Sequence, residues 1–179
     1  EVEPDGTVES HLKQGMLKLN DVVEIRPGRA VVEKNQQVWK PITTKVISLN
    51  TGGAQVESVV PGGSIGVLTS LDPSIVKSDQ LTGSLVGLQG KLPKVWNDLV
   101  LDVHLLTRAV GTKEELNVDP IKMSEPLMLN VNSAATVGFV VELRKNKIKC
   151  RLKLPVCANP GSRVTISRRI GNRFRLIGY

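Results

Sequence analysis

The hydrophobic pattern of this chain has the period of strands. Short apolar runs and polar–apolar alternations each stop at a turn signal. Val22 to Ile25 ends at Arg26-Pro27-Gly28, Val38 to Lys40 at Pro41, and Thr43 to Leu49 at Asn50-Thr51-Gly52-Gly53. Gln55 to Val60 ends at Pro61-Gly62-Gly63, and Ser64 to Leu68 precedes a polar loop with Asp72-Pro73. In the later half, Leu99, Leu101, Val103 and Leu105 alternate on one face, with Asp102 and His104 on the other. An acidic loop, 111–124, follows. Further strands are predicted over 126–131, 136–142, 147–154, 163–168 and 173–178. No amphipathic helix exceeds two turns, and the regular turns predict an all-β fold of sandwich or barrel type. The segment Gly87 to Pro93 reads as a linker between two domains, 1–92 and 93–179, each long enough for one small β-barrel.

Composition sharpens this reading. Val, Ile and Thr number 25, 10 and 10 among 179 residues, so a quarter of the chain is β-branched. Hydrophobic residues at 40% and charged residues at 23% predict a packed core rather than disorder. No apolar run is long enough to span a bilayer, and the acidic start, Glu1 to Asp5, is unlike a secretory leader. Two cysteines, Cys150 and Cys157, cannot build a disulfide framework; a reducing, cytoplasmic setting is expected. Five aromatic residues are too few for a base-stacking platform.

Charge is distributed unevenly. Residues 1–141 carry 13 Lys and Arg against 16 Asp and Glu, whereas residues 142–179 carry 11 against one. Such a basic block is a footprint for an anionic partner, most often nucleic acid. Its sharpest part is Lys147-Ile148-Lys149-Cys150-Arg151-Leu152-Lys153-Leu154, which puts four cations on one strand face and four apolar residues on the other. That face is either a solvated barrel exterior or a strip facing phosphate. Arg163, Arg168, Arg169, Arg173 and Arg175 add to the second alternative, because arginine grips phosphate with two donors.

Pro61-Gly62-Gly63-Ser64-Ile65-Gly66 is a glycine-rich turn entering a strand. It is no phosphate loop, since the Gly-Lys-Ser/Thr ending and the following helix are both missing. It is a tight turn needing positive φ, or a place where a ligand's backbone approaches closely. No catalytic or metal-ligating constellation emerges from His11, His104 and the cysteines. Cys150 falls on the apolar side of its strand as a buried thiol, and Asp102 and His104 share a face on which they could bond.

Several stretches together resemble one family. Gly15-Met16-Leu17-Lys18-Leu19-Asn20-Asp21-Val22-Val23-Glu24-Ile25-Arg26-Pro27-Gly28 is similar to the second-domain signature of translational GTPases of the elongation factor Tu type, with Asn20 in place of the usual glycine. Thr7 to His11 departs from the glycine-rich start common there. Leu71-Asp72-Pro73-Ser74, Ser78 to Gly83, Val110 to Lys113, Val118 to Ile121, Glu125 to Val131, Thr165 to Ile170 and Phe174 to Tyr179 resemble the gamma subunit of archaeal and eukaryotic translation initiation factor 2.

The resemblance implies two consecutive β-barrels of the domain II and domain III type, without the GTP-binding domain. GTP and Mg would then belong to that missing domain, as would contact with the beta subunit, and this chain would supply no catalytic residue. It further implies partners: initiator tRNA, whose aminoacylated 3′ end would lie near Gly62, Gly63, Ser64, Ile65 and Gly66; the alpha subunit; and the small ribosomal subunit. Lys147, Lys149, Arg151, Lys153, Arg168, Arg169, Arg173 and Arg175 are the candidates for facing RNA or the ribosome. The barrels of another translational GTPase, such as the selenocysteine-specific elongation factor, are the alternative; Val118 to Ile121 and Thr165 to Ile170 argue against it.

Overall fold

A computed structural model describes residues 8–76, 80–110 and 117–179. The acidic start and Thr7, part of the Ser78 to Gly83 stretch, and residues 111–116 of the acidic loop lie outside the described residues. The chain divides into two compact units, 1–92 and 93–179. Strands dominate both, as β-branched residues on pleated, half-buried surfaces require.

The first unit contains β1 (Val8–His11), β2 (Leu17–Lys18), β3 (Val22–Glu33), β4 (Gln36–Thr51), β5 (Ala54–Val56), β6 (Ser58–Val59), β7 (Ser64–Thr69), α1 (Pro73–Val76) and β8 (Leu85–Leu88). Its main sheet runs β1-β7-β4-β3-β8, with β5 on β4, and β2 pairs β6. Val23, Val46, Leu49, Ile65 and Val67 lead its core. The polar loop expected at Asp72-Pro73 contains one helical turn. Asp72 Oδ1 accepts the Ser74 N–H at 2.8 Å, and Pro73 opens the turn where no donor is needed.

Two turns expected from proline are absent. β3 continues through Pro27 and β4 through Pro41, and the chain reverses later, at Lys34-Asn35. The register of β3 on β4 slips between Ile25 and Arg29, so the missing proline donors fall in a bulge. Gly28 belongs to that bulge: at φ +88° a Cβ there would come within 1.9 Å of the Lys40 carbonyl oxygen. Past the bulge, residues 29–33 pair, among the described residues, only with residues 36–40, forming a two-stranded arm. Asn20, standing where glycine is usual in the resemblance, adopts φ +68°, a region asparagine tolerates better than other side chains.

The second unit contains β9 (Val95–Asp102), β10 (Pro126–Val131), β11 (Ala134–Arg144), β12 (Lys147–Cys157), β13 (Val164–Ile170) and β14 (Arg173–Gly178). The strands form one sheet in the order β14-β13-β10-β11-β12-β9. The stretch after β9 closes it into a barrel. His104 and Tyr179 exchange backbone bonds of 2.8 and 3.1 Å, and the Leu106 N–H reaches the Ile177 carbonyl at 2.8 Å. Leu127, Leu129, Ile166 and Ile177 are fully buried inside. The alternation expected through Leu105 therefore holds as far as Val103, which packs on the core: Leu105 is exposed because the chain there turns to pair with β14.

Gly87 to Pro93 is not a free linker. Gly87 pairs with Glu24 inside the sheet, and Leu92 packs over Gly87. The first unit thus extends to Leu92.

Candidate nucleic-acid interface

The glycine-rich turn stands at the start of β7. Gly62 and Gly63 adopt φ +150° and +147°, and a Cβ on either would meet nothing within 4 Å. Backbone conformation demands glycine here; crowding within the chain does not. The turn is consequently open to solvent on its outer side. Ser64 is exposed, Ile65 is buried in the core at 5% exposure, and Gly66 sits between β1 and β4, paired with Glu9 and Asn50. Ser64 Oγ lies 3.1 Å from His11 Nε2, and the Ser64 carbonyl accepts from Thr51 Oγ1 at 3.4 Å. His11 was not visible as a neighbour of this turn in the sequence, since 53 residues separate it from Ser64.

The basic strip is more neutral than its sequence suggests. Lys147, Lys149 and Arg151 alternate outward on β12, over buried Ile148, Cys150 and Leu152. Across the sheet they face Asp102, Val100 and Asp98 on β9, and Arg144, Glu142 and Phe139 on β11. Lys147 Nζ lies 3.6 Å from Asp102, and Arg151 Nε 3.3 Å from Asp98. Glu142 also bonds Arg144, at 2.5 Å. Acids from two neighbouring strands, distant in sequence, thus lie among the cations. These exposed pairs each contribute well under about 1 kcal/mol but cancel much of the strip's field.

The alternation fails beyond Leu152. Lys153 and Leu154 are both exposed and Pro155 is buried, correcting the expected apolar place of Leu154. The register of β12 on β9 slips between Arg151 and Val156, which changes the phase of the strand. Thr136 Oγ1 satisfies this irregular backbone, donating to the Leu154 carbonyl at 2.8 Å and accepting its N–H at 3.0 Å.

Arg168 does not belong with the exposed cations. Its side chain is largely buried and ion-paired with Glu125. It also donates to the carbonyls of Asp119, at 2.8 Å, and Pro120, at 3.1 Å. Its guanidinium donors are engaged within the barrel, so Arg168 pins the 119–125 loop. Arg169, Arg173 and Arg175 lie on the β13–β14 hairpin, with Arg169 opposite exposed Phe174 and Arg175 opposite Arg168. Arg169 Nε caps the Gly171 carbonyl at 3.3 Å. Arg163 stands 5.1 Å over the Tyr179 ring, which stacks on His104 at 5.4 Å between centroids.

Asp102 and His104, which share a face on which they could bond, do not bond each other. Asp102 turns to Lys147, and His104 to Tyr179. Cys150 is fully buried, and burial pushes its thiol up to about 11, so it is inert at neutral pH. Cys157 is buried and donates to the Pro93 carbonyl at 3.1 Å. Among the described residues, no three His, Cys, Asp or Glu side chains gather as a metal site. No helix among them is long and apolar enough to cross a membrane.

Sequence reasoning missed a buried cluster in the first unit. Glu24, at 6% exposure, pairs with Arg26 at 2.8 Å and accepts the Gly90 N–H at 3.0 Å. Arg26 Nη1 donates to the Leu92 carbonyl at 3.2 Å. The Arg26 bond, with Gly90 second, holds the Glu24 carboxyl below its ordinary range against the opposing effect of burial. The signal available was a charged pair, Glu24 and Arg26, inside an otherwise apolar strand.

Comparison with known proteins places these features in a family. A family model described as "Initiation factor eIF2 gamma, C terminal" matches residues 97–179. Translation initiation factor 2 subunit gamma of Pyrococcus furiosus is 52% identical over 174 residues, covering 97% of this chain and 42% of the relative. The subunit of the same name from Methanococcus maripaludis is also 52% identical, and that from Thermococcus kodakarensis 49%, with the same coverage. The chain thus spans about two fifths of the length of the curated relatives it matches.

Proposed function

Because the chain belongs to the gamma-subunit family of translation initiation factor 2, we propose that its two barrels are a binding and scaffolding part of such a factor. The first barrel helps hold the methionylated 3′ end of initiator tRNA and docks the alpha subunit. The second braces the assembly and faces the small ribosomal subunit, in the cytoplasm. Similarity along 97% of the chain carries this reading.

Geometry supports the division of labour. The open Gly62–Gly63 crest leaves room for a nucleotide's sugar and phosphate close to the protein backbone. The β3–β4 arm exposes Val32 at 77% and carries half-buried Val31, Val38 and Trp39 on a ribbon that pairs only with itself. A lone two-stranded ribbon is marginal in water, so a protein partner laid against it gains apolar contact and order. We assign alpha-subunit docking to this arm. RNA contact falls to Lys153, Arg169, Arg173 and Arg175, whereas Lys147 and Arg151 are partly neutralised by aspartates and Arg168 is withdrawn.

GTP and Mg are assigned to a separate GTP-binding domain of the full-length factor, together with beta-subunit contact. The residues here do not fit them: the Gly62–Gly63 turn enters a strand, and no group of metal ligands gathers among the described residues. On this reading the chain supplies recognition and no hydrolysis.

The test is calorimetric titration with the C-terminal domain of an alpha subunit at moderate salt. One-to-one saturable binding is expected, weakened by Val32→Asp or Trp39→Ala. A well-folded chain that binds no alpha subunit, or binds it equally with the arm altered, overturns the docking assignment.

A further inference from the structure

The segment before the boundary at 92 and 93 is fastened with unusual economy. Within the first unit, the Glu24 carboxylate holds the Gly90 N–H, and the Arg26 guanidinium holds the Leu92 carbonyl. One ion pair on β3 thus closes a loop over 66 positions of sequence. Within the second unit, Cys157 holds the Pro93 carbonyl, and the Ala158 N–H meets the Lys94 carbonyl at 3.3 Å. The last fastened residue of one unit and the first of the next are therefore neighbours, Leu92 and Pro93. Proline fixes its own φ and restricts the residue before it, which removes further freedom.

We propose that the Glu24–Arg26 pair is a latch that decides whether residues 89–92 are part of the first barrel or a linker. Closed, it leaves no slack residue between the fastened ends. Open, it releases Gln89 to Leu92 as a short tether while β8 stays paired with β3 through Leu85–Leu88. Among the described residues the other contacts of that segment are weaker: Leu92 covers Gly87, and a turn bond joins the Lys91 N–H to the Leu88 carbonyl at 3.0 Å. A partner that competes for the Arg26 guanidinium with its own carboxylate or phosphate would open the latch. The device does not depend on what either barrel binds.

Trypsin reads the latch directly, because Lys91 and Lys94 flank the joint and both are exposed. Glu24→Gln removes the charge and keeps the shape; Arg26→Lys keeps the charge and loses the fork that spans both partners. Each should raise cleavage at Lys91 about tenfold, since proteolysis follows the population of the open form. Hydrogen exchange at the Gly90 amide should accelerate in parallel. Trp39 and Trp96 emission should remain native in both fragments, reporting folded barrels. Unchanged cleavage with a faster Gly90 amide overturns the proposal. So does loss of native Trp39 emission before cleavage in both variants, which would make the pair a support of the whole first barrel.

Discussion

The two barrels meet the same problem, covering a strand-rich core with few aromatic residues, in different ways. The second is one continuous six-stranded sheet whose end strand meets the stretch after β9. Its core cluster holds 13 buried residues among those described. The first divides its strands between a main sheet and a small ribbon, and its core cluster holds seven. It places residues elsewhere: a glycine crest open to solvent, and an arm that leaves the body. The second barrel gains packing, and the first gains exposed, shaped edges. Stability and recognition compete for the same residues, because a side chain inside the core offers nothing to a partner.

Each barrel also uses an arginine–glutamate pair to fasten a loop. Arg168 with Glu125 ties the carbonyls of Asp119 and Pro120, and Arg26 with Glu24 ties Gly90 and Leu92. A guanidinium suits this task because its planar fork satisfies a carboxylate and backbone carbonyls at once.

The sharpest way to break the contrast is to open a cavity in the better-packed barrel. Leu129→Ala should destabilise the second barrel by about 3–4 kcal/mol, the cost of a fully buried leucine in a core with little room to collapse. Urea unfolding followed by Trp96 should show the loss, while Trp39 reports an unchanged first barrel. Equal shifts at both tryptophans would mean that the barrels unfold as one.

Arg168→Ala should cost the second barrel about 2 kcal/mol, since it leaves the Glu125 carboxylate and two carbonyls without their donor. The same denaturation experiment measures it. Weaker RNA binding with unchanged stability would instead return Arg168 to the exposed cations.

The smallest effect separates the barrels by pH. The folded-state pKa of Glu24 is depressed, so its contribution is fully present above the ordinary glutamate value of 4.5. It is lost as pH falls from there through the folded value. Trp39-monitored stability should therefore fall in that acid window more steeply than in Glu24→Gln. Identical acid slopes in the two proteins would remove Glu24 from the account.

Much of this was legible in the sequence. Period-two alternation and β-branched content fixed an all-β fold, and several strand ranges, such as Pro126–Val131 and Arg173–Gly178, were readable residue by residue. The buried state of Cys150 followed from its place in the Lys147–Leu154 alternation. The prolines misled because Pro27 and Pro41 interrupt propensity but not pairing: a bulge absorbs them, and a bulge is a property of two strands together. The sequence by itself therefore determined which residues form strands and which face of each is apolar, because those depend on near neighbours. Only the tertiary structure decided what the charges do. Asp98 and Asp102 reach Arg151 and Lys147 through strand pairing, and Glu125 reaches Arg168 across 43 positions. A cation's role is set by whichever carboxylate the fold brings within a few ångströms, and linear charge counting cannot see that distance.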